Sequence, residues 1–499
     1  MTRRPFALPS LILPLDAADA RPLYRQLYDE VRRAILAGRL RAGTRLPSTR
    51  ALAKQLRLSR STVLNAFELL LTEGYLQGEV GRGTYVTRDL PEDLPRVSDA
   101  EHVPFPAHPF QPRLSRQGDG LRSVVSTAGL ETGLPSAFWP PLPALDQFPF
   151  AVWSRLVSHW YRDPPRDLLV YGDPTGYRPL REAIADFLSS VRAVHCDAEQ
   201  VIIIAGSQQG IDVTARLLLN PGDAVWVEEP CYPGTRGALQ SMGAQLVHVP
   251  VDEEGLDVSF GRIHCPSACM ACVTPSHQYP LGVTMSVKRR FALLDWAQQA
   301  NAWILENDYN SLYRYAGQPL PALQGLDTTQ RVIYLGTFSN VLFPSLRMGY
   351  LVVPPALVDV FRAARVLMDR QPPSIEQAAL ADFISQGHLS RHLRRMRALY
   401  AERQAVLVEA VEQELEGLLG IPAIEAGMHA IGWILTAMES RTALSLAKTG
   451  GVNLCALSTY YKTPMTSATS NGVILGYTAL KPAEIRFGVQ QLARAWQKG

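Results

Sequence analysis

Residues 201–219 read VIIIAGSQQGIDVTARLLL, and this stretch decides the expected fold. Four consecutive β-branched residues predict a buried strand, a Gly-Ser turn follows, and the apolar residues after the turn have helical spacing. A strand, a tight turn and a helix in that order are typical of α/β domains. The backbone N–H groups at the helix start, with Ser207 and Gln208, are suited to hold a phosphate. Such turns are frequent after strands, so this pattern alone does not identify a ligand.

Further apolar segments downstream have the composition of strands and alternate with helical patterns. The strand candidates are AVWVEEP (224–230), ACMACVTP (268–275), AWILEND (302–308) and RVIYLGTF (331–338). A helical pattern, VKRRFALLDWAQQA (287–300), separates two of them. This alternation predicts an α/β fold with a mainly parallel sheet. The chain is expected to be largely helical from 376 to 418 and to end in a small C-terminal α+β subdomain.

The N-terminal part carries the pattern of a helix-turn-helix. Within LPSTRALAKQLRLSRSTV (46–63), Ser48 and Ser59 are suited to cap two short helices joined by a polar turn. The exposed N-terminal end of the second helix is the part that can reach base edges in a major groove of DNA. The side chains predicted at that end are Arg60, Ser61 and Thr62.

A β-hairpin is expected to follow the two helices. GYLQGEVGRGTYV (74–86) predicts two short strands around a glycine-rich tip, where Arg82 is suited to contact phosphate or the minor groove. Residues 1–88 hold 15 Lys and Arg against 7 Asp and Glu, whereas the remainder of the chain is mildly acidic. A basic surface is also common on proteins that bind no nucleic acid, but here it coincides with the helix-turn-helix pattern.

Composition shifts divide the chain into three segments. We expect a winged helix-turn-helix at 18–88, a linker rich in proline and charge at 89–125, and the α/β domain with its C-terminal subdomain at 126–499. The six cysteines show no disulfide framework and favour a reducing cytoplasm. No apolar run is long enough to predict a transmembrane helix, so no membrane partner is expected.

Other loops of the α/β domain carry side chains suited to a flat, phosphorylated ligand. EEPCYPG offers Tyr232 as a ring that can stack on such a ligand, and PSLRMGY offers Arg347 for a bidentate phosphate contact. Tyr309 follows the strand candidate AWILEND, and GTFSN places Ser339 and Asn340 just after another strand candidate. We predict that these loops form one ligand pocket.

The N-terminal motifs LPSTRALAKQLRLSRSTV and GRGTYV together resemble the winged helix-turn-helix of the GntR family. The resemblance places Arg50, Arg60, Thr62 and Gly81 at DNA-contacting positions and implies double-stranded operator DNA as a partner. Arg50 taken alone is equally explained as a helix surface residue, and Gly81 as a turn residue. The joint pattern favours DNA binding.

The loops of the α/β domain, in their order, resemble the fold-type-I aminotransferase domain. Joined to a GntR-like head, they resemble transcriptional regulators of the MocR/GabR type, from roughly residue 18 to the end of the chain. The resemblance implies a homodimer, often head-to-tail, that binds pyridoxal 5′-phosphate (PLP) and senses an amine or the cofactor itself.

One residue departs from that family at the position that matters most for PLP chemistry. In the family the stretch reads GTFSK, and the lysine amine forms a Schiff base with the PLP aldehyde. Here the lysine is replaced by Asn340, whose amide nitrogen is not a nucleophile because its lone pair is delocalised. The lysines beyond residue 88 follow no comparable motif; they are Lys288, Lys448, Lys462, Lys481 and Lys498.

A second departure concerns the partner of the pyridine nitrogen. The family usually has EDDY where this chain has Glu306 to Tyr309, so that Asn307 takes the place of the aspartate that keeps the pyridinium protonated. Asp308, one residue on, is an alternative partner. Ile474 stands where some relatives have an arginine for a substrate carboxylate, but other relatives lack that arginine too.

Two further patterns have simpler explanations. HCPSACMAC contains His264, Cys265, Cys269 and Cys272, but we expect no metal site because Cys269 and Cys272 fall in a predicted strand whose side chains alternate between faces. The arginine run RHLRRMR accompanies an apolar face of Leu389, Leu393, Met396 and Leu399. That run predicts a packed amphipathic helix with a solvated side instead of a second nucleic-acid surface.

The sequence therefore predicts a DNA-binding transcriptional regulator with a non-catalytic, aminotransferase-like sensor domain. Its partners would be operator DNA, a second copy of the chain and a small-molecule effector, with PLP absent or bound noncovalently. The alternatives are a PLP-dependent aminotransferase-like enzyme or PLP-binding regulator with a DNA-binding head, and a DNA-binding scaffold without a ligand. The absence of lysine at position 340 argues against the enzyme.

Overall fold

The computed structural model of the chain forms two compact units, Met1–Pro112 and Arg113–Gly499, called the head and the body below. The residues described are 15, 19, 21–79, 83–88, 113–115, 118, 121, 137–139, 142–317, 320–462 and 471–497. Gly81, Arg82 and almost all of the predicted linker (89–125) lie outside them. The domain limits 18–88 and 126–499 stay predictions.

The head contains three helices followed by an antiparallel hairpin. Its elements are α1 (Leu23–Leu36), α2 (Thr49–Leu56), α3 (Arg60–Thr72), β1 (Leu76–Glu79) and β2 (Gly83–Val86). One face of α3 is buried because Val63, Phe67 and Leu70 recur at helical spacing and pack against α1 and α2. The predicted helix-turn-helix and hairpin are confirmed.

The body is built around an eight-stranded sheet. Its strands are β3 (Val201–Ile204), β4 (Ala224–Glu229), β5 (Gln245–Asp252), β6 (Gly255–Leu256), β7 (Met270–Val273), β8 (Trp303–Asp308), β9 (Val332–Thr337) and β10 (Gly349–Val352). The spatial order is β3-β10-β9-β8-β7-β4-β5-β6, and the pairs from β5 through β4, β7 and β8 to β9 are parallel. β10 runs antiparallel to both neighbours. The prediction of a mainly parallel sheet is confirmed.

Helices cover this sheet on both faces. They are α4 (Phe150–Arg162), α5 (Arg178–Arg192), α6 (Ser207–Leu218), α7 (Pro233–Ser241), α8 (Val258–His264), α9 (Val287–Gln299), α10 (Leu323–Leu326) and α11 (Val358–Met368). Ile202 and Ile204 of β3 pack in a different core cluster from Ile203, because neighbouring residues of a strand point to opposite faces. The strands are therefore buried on both sides, which explains their uninterrupted apolar sequences.

Four further helices and a small antiparallel sheet complete the described part of the body. The helices are α12 (Ser374–Ser385), α13 (His388–Glu414), α14 (Ser440–Thr449) and α15 (Pro482–Trp496). The strands β11 (Leu419–Gly420), β12 (His429–Ile434), β13 (Cys455–Ala456) and β14 (Gly472–Gly476) pair in the order β11-β12-β14-β13. Leu389, Leu393 and Met396 of α13 are buried while the arginines between them are exposed. The predicted amphipathic helix and α+β subdomain are thus confirmed.

No helix among the described residues combines the length and the apolar character needed to cross a bilayer.

Candidate functional site

A local hydrogen-bond network orders the start of α3. Ser59 caps the helix by accepting a hydrogen bond from the Thr62 backbone N–H at 3.1 Å. Its Oγ also lies 2.8 Å from Ser61 Oγ and 2.7 Å from Thr62 Oγ1. The hydroxyls are therefore fixed relative to the helix axis, and Arg60 beside them is exposed.

A serine also caps the start of α2. Ser48 accepts a hydrogen bond from the Ala51 backbone N–H at 3.2 Å, and Arg50 is exposed in the first turn. The turn into α3 is tight because Arg57 adopts a left-handed conformation with φ 54°. Ser48 and Ser59 therefore have a structural role as helix caps. Arg50 and Arg60 are exposed beside them and can face a ligand.

A cavity of about 270 Å³ opens in the body where parallel strands end. Strands β8 and β9 are adjacent and parallel, so the residues after them meet at one edge of the sheet. The lining residues are Leu142, Ser207, Tyr232, Tyr279, Asn307, Tyr309, Thr337, Ser339, Asn340 and Pro344. Ser207, Tyr232, Asn307, Tyr309, Ser339 and Asn340 of the predicted pocket are thus brought together.

The corner of the cavity at Ser207 has the features of an anion site. Helix α6 begins there after Gly206, which has φ 100° and provides no side-chain cap, so the first N–H groups of the helix face the corner. Arg347 Nη2 donates to the Ala205 carbonyl at 2.7 Å. A Cβ on Gly206 would lie 3.0 Å from that nitrogen, so glycine permits the guanidinium to come close.

Gln208 makes a contact that the sequence did not predict. Its side-chain amide donates to the Gly234 carbonyl at 3.0 Å, which ties α6 to the start of α7. Gln208 and Arg347 do not belong to the described residues that line the cavity, although Arg347 stands beside its Ser207 corner.

Aromatic side chains form one wall of the cavity. The Tyr279 ring meets Tyr232 and Tyr309 edge to face, with centroid distances of 5.9 and 5.4 Å. Tyr309 Oη is buried, and in the described part of the chain it has no hydrogen-bond partner. A buried hydroxyl without a partner is costly, so it points to a ligand acceptor at this place. The sequence did not reveal Tyr279, which lies in the YPLG turn six positions beyond Val273, the last residue of β7.

Asn340 forms part of the cavity floor. Its side-chain Nδ2 donates to the Tyr309 carbonyl at 3.3 Å, so the amide is held by backbone. No lysine occurs among the described lining residues. Lys288 and Lys448 lie on α9 and α14, and Lys481 caps α15.

Asn307 and Asp308 have opposite environments because they alternate along β8. Asn307 lines the cavity, whereas Asp308 Oδ2 accepts hydrogen bonds from Arg192 Nε at 2.9 Å and Tyr334 Oη at 2.6 Å. Burial opposes the charged form of Asp308, but Arg192 and these hydrogen bonds outweigh it and keep the pKa of Asp308 below its ordinary value. The alternative that Asp308 turns into the cavity would break this buried ion pair.

The cavity therefore fits the phosphate and the ring of PLP, but it does not fit the pyridine nitrogen or the aldehyde. The α6 start with Arg347 is suited to a phosphate, and the tyrosine wall with its unpaired Oη is suited to a phenolic ring. The amides of Asn307 and Asn340 supply neither a carboxylate for the pyridine nitrogen nor an amine for the aldehyde. The described lining therefore fits the phosphate and the ring of PLP and includes no amine for covalent attachment.

The cysteine-rich segment runs from the exposed end of α8 into the buried strand β7. Within the described ranges, no group of three or more His, Cys, Asp or Glu side chains is placed to hold a metal ion. His264 Nδ1 contacts the Phe260 carbonyl at 2.9 Å, and the His264 ring stacks on the Phe260 ring. Cys272 is buried in the core, where burial raises the pKa of its thiol.

Comparisons with known proteins match two families to this chain, one within the head and the other within the body. Residues 23–86 match the bacterial regulatory proteins of the gntR family, and residues 155–475 match aminotransferase class I and II. A probable rhizopine catabolism regulatory protein MocR from Rhizobium meliloti is 41% identical over 97% of this chain and 96% of its own. The HTH-type pyridoxine biosynthesis transcriptional regulator PdxR from Corynebacterium glutamicum is 31% identical over 99% of this chain and 100% of its own.

Solved structures resemble the body. The kynurenine aminotransferase of Pyrococcus horikoshii, in complex with PMP and substrates, superposes with a TM-score of 0.67 and 26% identity. The match covers 78% of this chain and 95% of the aminotransferase.

Proposed function

Because the chain belongs to the MocR-type transcriptional regulators, which join a gntR-family helix-turn-helix to an aminotransferase class I and II domain, we propose that its body is a sensor that does not catalyse transamination. The chain is a DNA-binding transcriptional regulator, as its relatives are. The observation that carries the proposal is Asn340 on the floor of the cavity, where an amide cannot react with an aldehyde.

Two features support a retained ligand site. The α6 start and Arg347 still form an anion corner, and Tyr309 Oη still lacks a partner within the described residues. A buried hydroxyl without a partner is costly, so the unpaired Tyr309 Oη supports a ligand that accepts its hydrogen bond. The proposed ligand is therefore a phosphorylated aromatic molecule, held by hydrogen bonds and stacking. PLP is one such molecule.

A titration of the wild-type protein with PLP tests this proposal. We expect saturable binding, seen as a rise in melting temperature with ligand concentration. We also expect no absorbance band of a Schiff base in the protein as purified, and no borohydride-fixed PLP on a residue that lines the cavity. A borohydride-stable adduct on any lysine of the purified protein would support the alternative, an enzyme-like or covalently PLP-binding regulator. An unchanged melting temperature with PLP, pyridoxal and amino acids would favour a scaffold without a ligand.

For the head, we propose that Arg60, Ser61 and Thr62 at the α3 start read base edges, with Arg50 on the adjacent α2. The support is that α3 begins at Arg60 in an exposed, capped turn. Gly81 and Arg82 remain proposed contacts of the wing tip. A homodimer would present two such turns to two half-sites of an operator.

Replacing Arg60 by alanine is expected to weaken binding to the specific operator by roughly 10- to 100-fold, because one good base contact is worth about 1–3 kcal/mol. Binding to random DNA should fall much less. Arg88→Ala is the matched control, since it also removes one exposed arginine of the head. Fluorescence anisotropy at fixed salt measures both affinities. Equal losses on specific and random DNA for Arg60→Ala would remove Arg60 from base recognition.

A further inference from the structure

A second and larger cavity, of about 460 Å³, lies elsewhere in the body. It is formed by the loop 280–284, the segment 422–426 and the start of β12 (429–431), with Glu253 and His277. It shares no lining residue with the cavity at Asn340. Tyrosine rings of the first cavity touch its histidines, since Tyr309 lies 6.0 Å from His277 and Tyr279 lies 5.4 Å from His429 between ring centroids.

His277 is the residue of this cavity that most clearly lacks a partner. Its side chain is 3% exposed, and neither ring nitrogen has a hydrogen-bond partner within the described chain. Two glycines with positive φ leave room for the ring, because a Cβ on Gly427 would lie 2.3 Å from His277 Nε2 and one on Gly282 would lie 3.2 Å from His277 Cε1. The fold thus positions a buried imidazole whose polar atoms are left unsatisfied.

His429 adds a hydrogen-bond acceptor beside it. Its Nε2 lies 2.8 Å from the Pro280 carbonyl, which can only accept, so Nε2 carries the proton and Nδ1 keeps a lone pair. Nδ1 is buried and has no partner among the described residues. Burial lowers the pKa of both histidines, with that of His277 at about 3, so both rings are neutral near pH 7.

The charged groups around this cavity are mostly acidic. Glu253 is exposed at the rim. Glu425 also lines the cavity and pairs with Arg314 at 2.9 Å, and Arg314 further donates to Thr284 Oγ1 at 2.8 Å. Arg314 therefore balances one of the two carboxylates. The remaining wall is largely apolar, formed by Leu281, Val283, Ile424 and Ile431.

We propose that this cavity is a second small-molecule site of the body, which takes a ligand with a protonated amine at one end and an apolar chain behind it. The amine would donate to the free imidazole nitrogens of His277 and His429, with Glu253 supplying the opposite charge. The apolar chain would lie against Leu281, Val283 and Ile431. This proposal does not depend on what the cavity at Asn340 binds.

Ligand-observed NMR titrations of the full-length protein test the chemistry of the ligand. The probes are hexylamine, 1-hexanol and hexanoate, which share one chain and differ in the end group. We expect hexylamine to bind at least roughly tenfold more tightly than the other two, because hydrogen bonds to a charged group are the stronger ones. No saturable binding of hexylamine, or equal affinity for all three probes, would overturn the proposal.

Variants then locate the site. His277→Phe removes both ring nitrogens and is expected to weaken hexylamine binding roughly tenfold or more. Glu253→Gln at the exposed rim is expected to weaken it roughly threefold to tenfold, whereas Glu254→Gln, an exposed neighbour that does not line the cavity, should leave it unchanged. If His277→Phe does not fold, the comparison of Glu253→Gln with Glu254→Gln still tests the proposal.

Arg347→Ala in the first cavity separates the two proposals, because it should abolish binding of a phosphorylated ligand and preserve binding of hexylamine. If Arg347→Ala loses hexylamine binding, the amine does not bind in the second cavity. If Glu253→Gln binds hexylamine as tightly as the wild type does, the amine is not near Glu253. Either result would overturn the proposed second site.

Discussion

The Asn340→Lys variant is expected to form a yellow, borohydride-reducible adduct with PLP that the wild-type protein does not form. Asn340 already stands on the floor of a cavity that has an anion corner and a tyrosine wall, so the substitution supplies the one nucleophile that is lacking. Absorbance spectroscopy follows the adduct, and mass spectrometry after reduction and proteolysis should find it on residue 340.

Asn340→Gln is the matched control for this experiment, because it lengthens the side chain but keeps an amide. It should behave as the wild type does. A second change, Asn307→Asp, should strengthen the adduct of Asn340→Lys by restoring a carboxylate beside the pyridine nitrogen. Failure of the folded Asn340→Lys protein to react with PLP would show that the cavity has lost more than one residue type, and would weaken the proposal of a retained phosphate and ring site.

Replacing Arg192 by methionine is expected to lower the free energy of unfolding of the body by roughly 3–5 kcal/mol at neutral pH. Arg192 and Asp308 are both almost fully buried, and Arg192 also donates to Ser276 Oγ at 2.6 Å and the Leu320 carbonyl at 2.9 Å. Methionine leaves the Asp308 carboxylate buried without its countercharge. Urea unfolding measured by tryptophan fluorescence reports this effect on the body, because every tryptophan of the chain lies at or beyond residue 139.

The pH dependence of this effect has a definite sign. In the wild type the pKa of Asp308 is lowered, so the pair stabilises the fold above the ordinary pKa of 3.8 and this contribution is lost as the pH falls through the lower, folded value. In Arg192→Met the same carboxyl is buried without a cation, and its pKa should rise. The destabilisation is therefore expected to be larger at about pH 7 than at about pH 5.

Two comparisons complete the test of the buried pair. The double variant Arg192→Met/Asp308→Asn should recover part of the lost stability, because no charge then remains buried. Arg178→Met removes a pair with Glu182 in which both side chains are largely exposed, and should leave the free energy of unfolding almost unchanged. An Arg192→Met protein as stable as the wild type would show that the Arg192–Asp308 pair does not stabilise the body.

Much of the architecture follows from local patterns in the sequence. The apolar runs of β3, β4, β8 and β9 mark a sheet buried on both faces, and the serine caps at 48 and 59 mark the starts of α2 and α3. These features are local, because side-chain period and helix capping depend on residues a few positions apart. The grouping of the pocket loops followed from their ligand-suited side chains and from the resemblance to the aminotransferase domain.

Contacts between residues far apart in the sequence could not be predicted from these local patterns. The sequence did not reveal Tyr279 as a pocket residue, the tie from Gln208 to Gly234, or the partner that Arg192 gives to Asp308 across 116 positions of the chain. The cavity at His277 and His429 was equally invisible, since its lining comes from segments about 150 residues apart.

By itself, the sequence determined that this chain joins a helix-turn-helix to an aminotransferase-like domain and that an amide occupies position 340. Only the tertiary structure decided that Asp308 faces away from the cavity and that two buried histidines border a second one. The physical reason is that residue type and spacing fix the elements, whereas the direction and partner of a buried polar side chain depend on which distant segment packs against it.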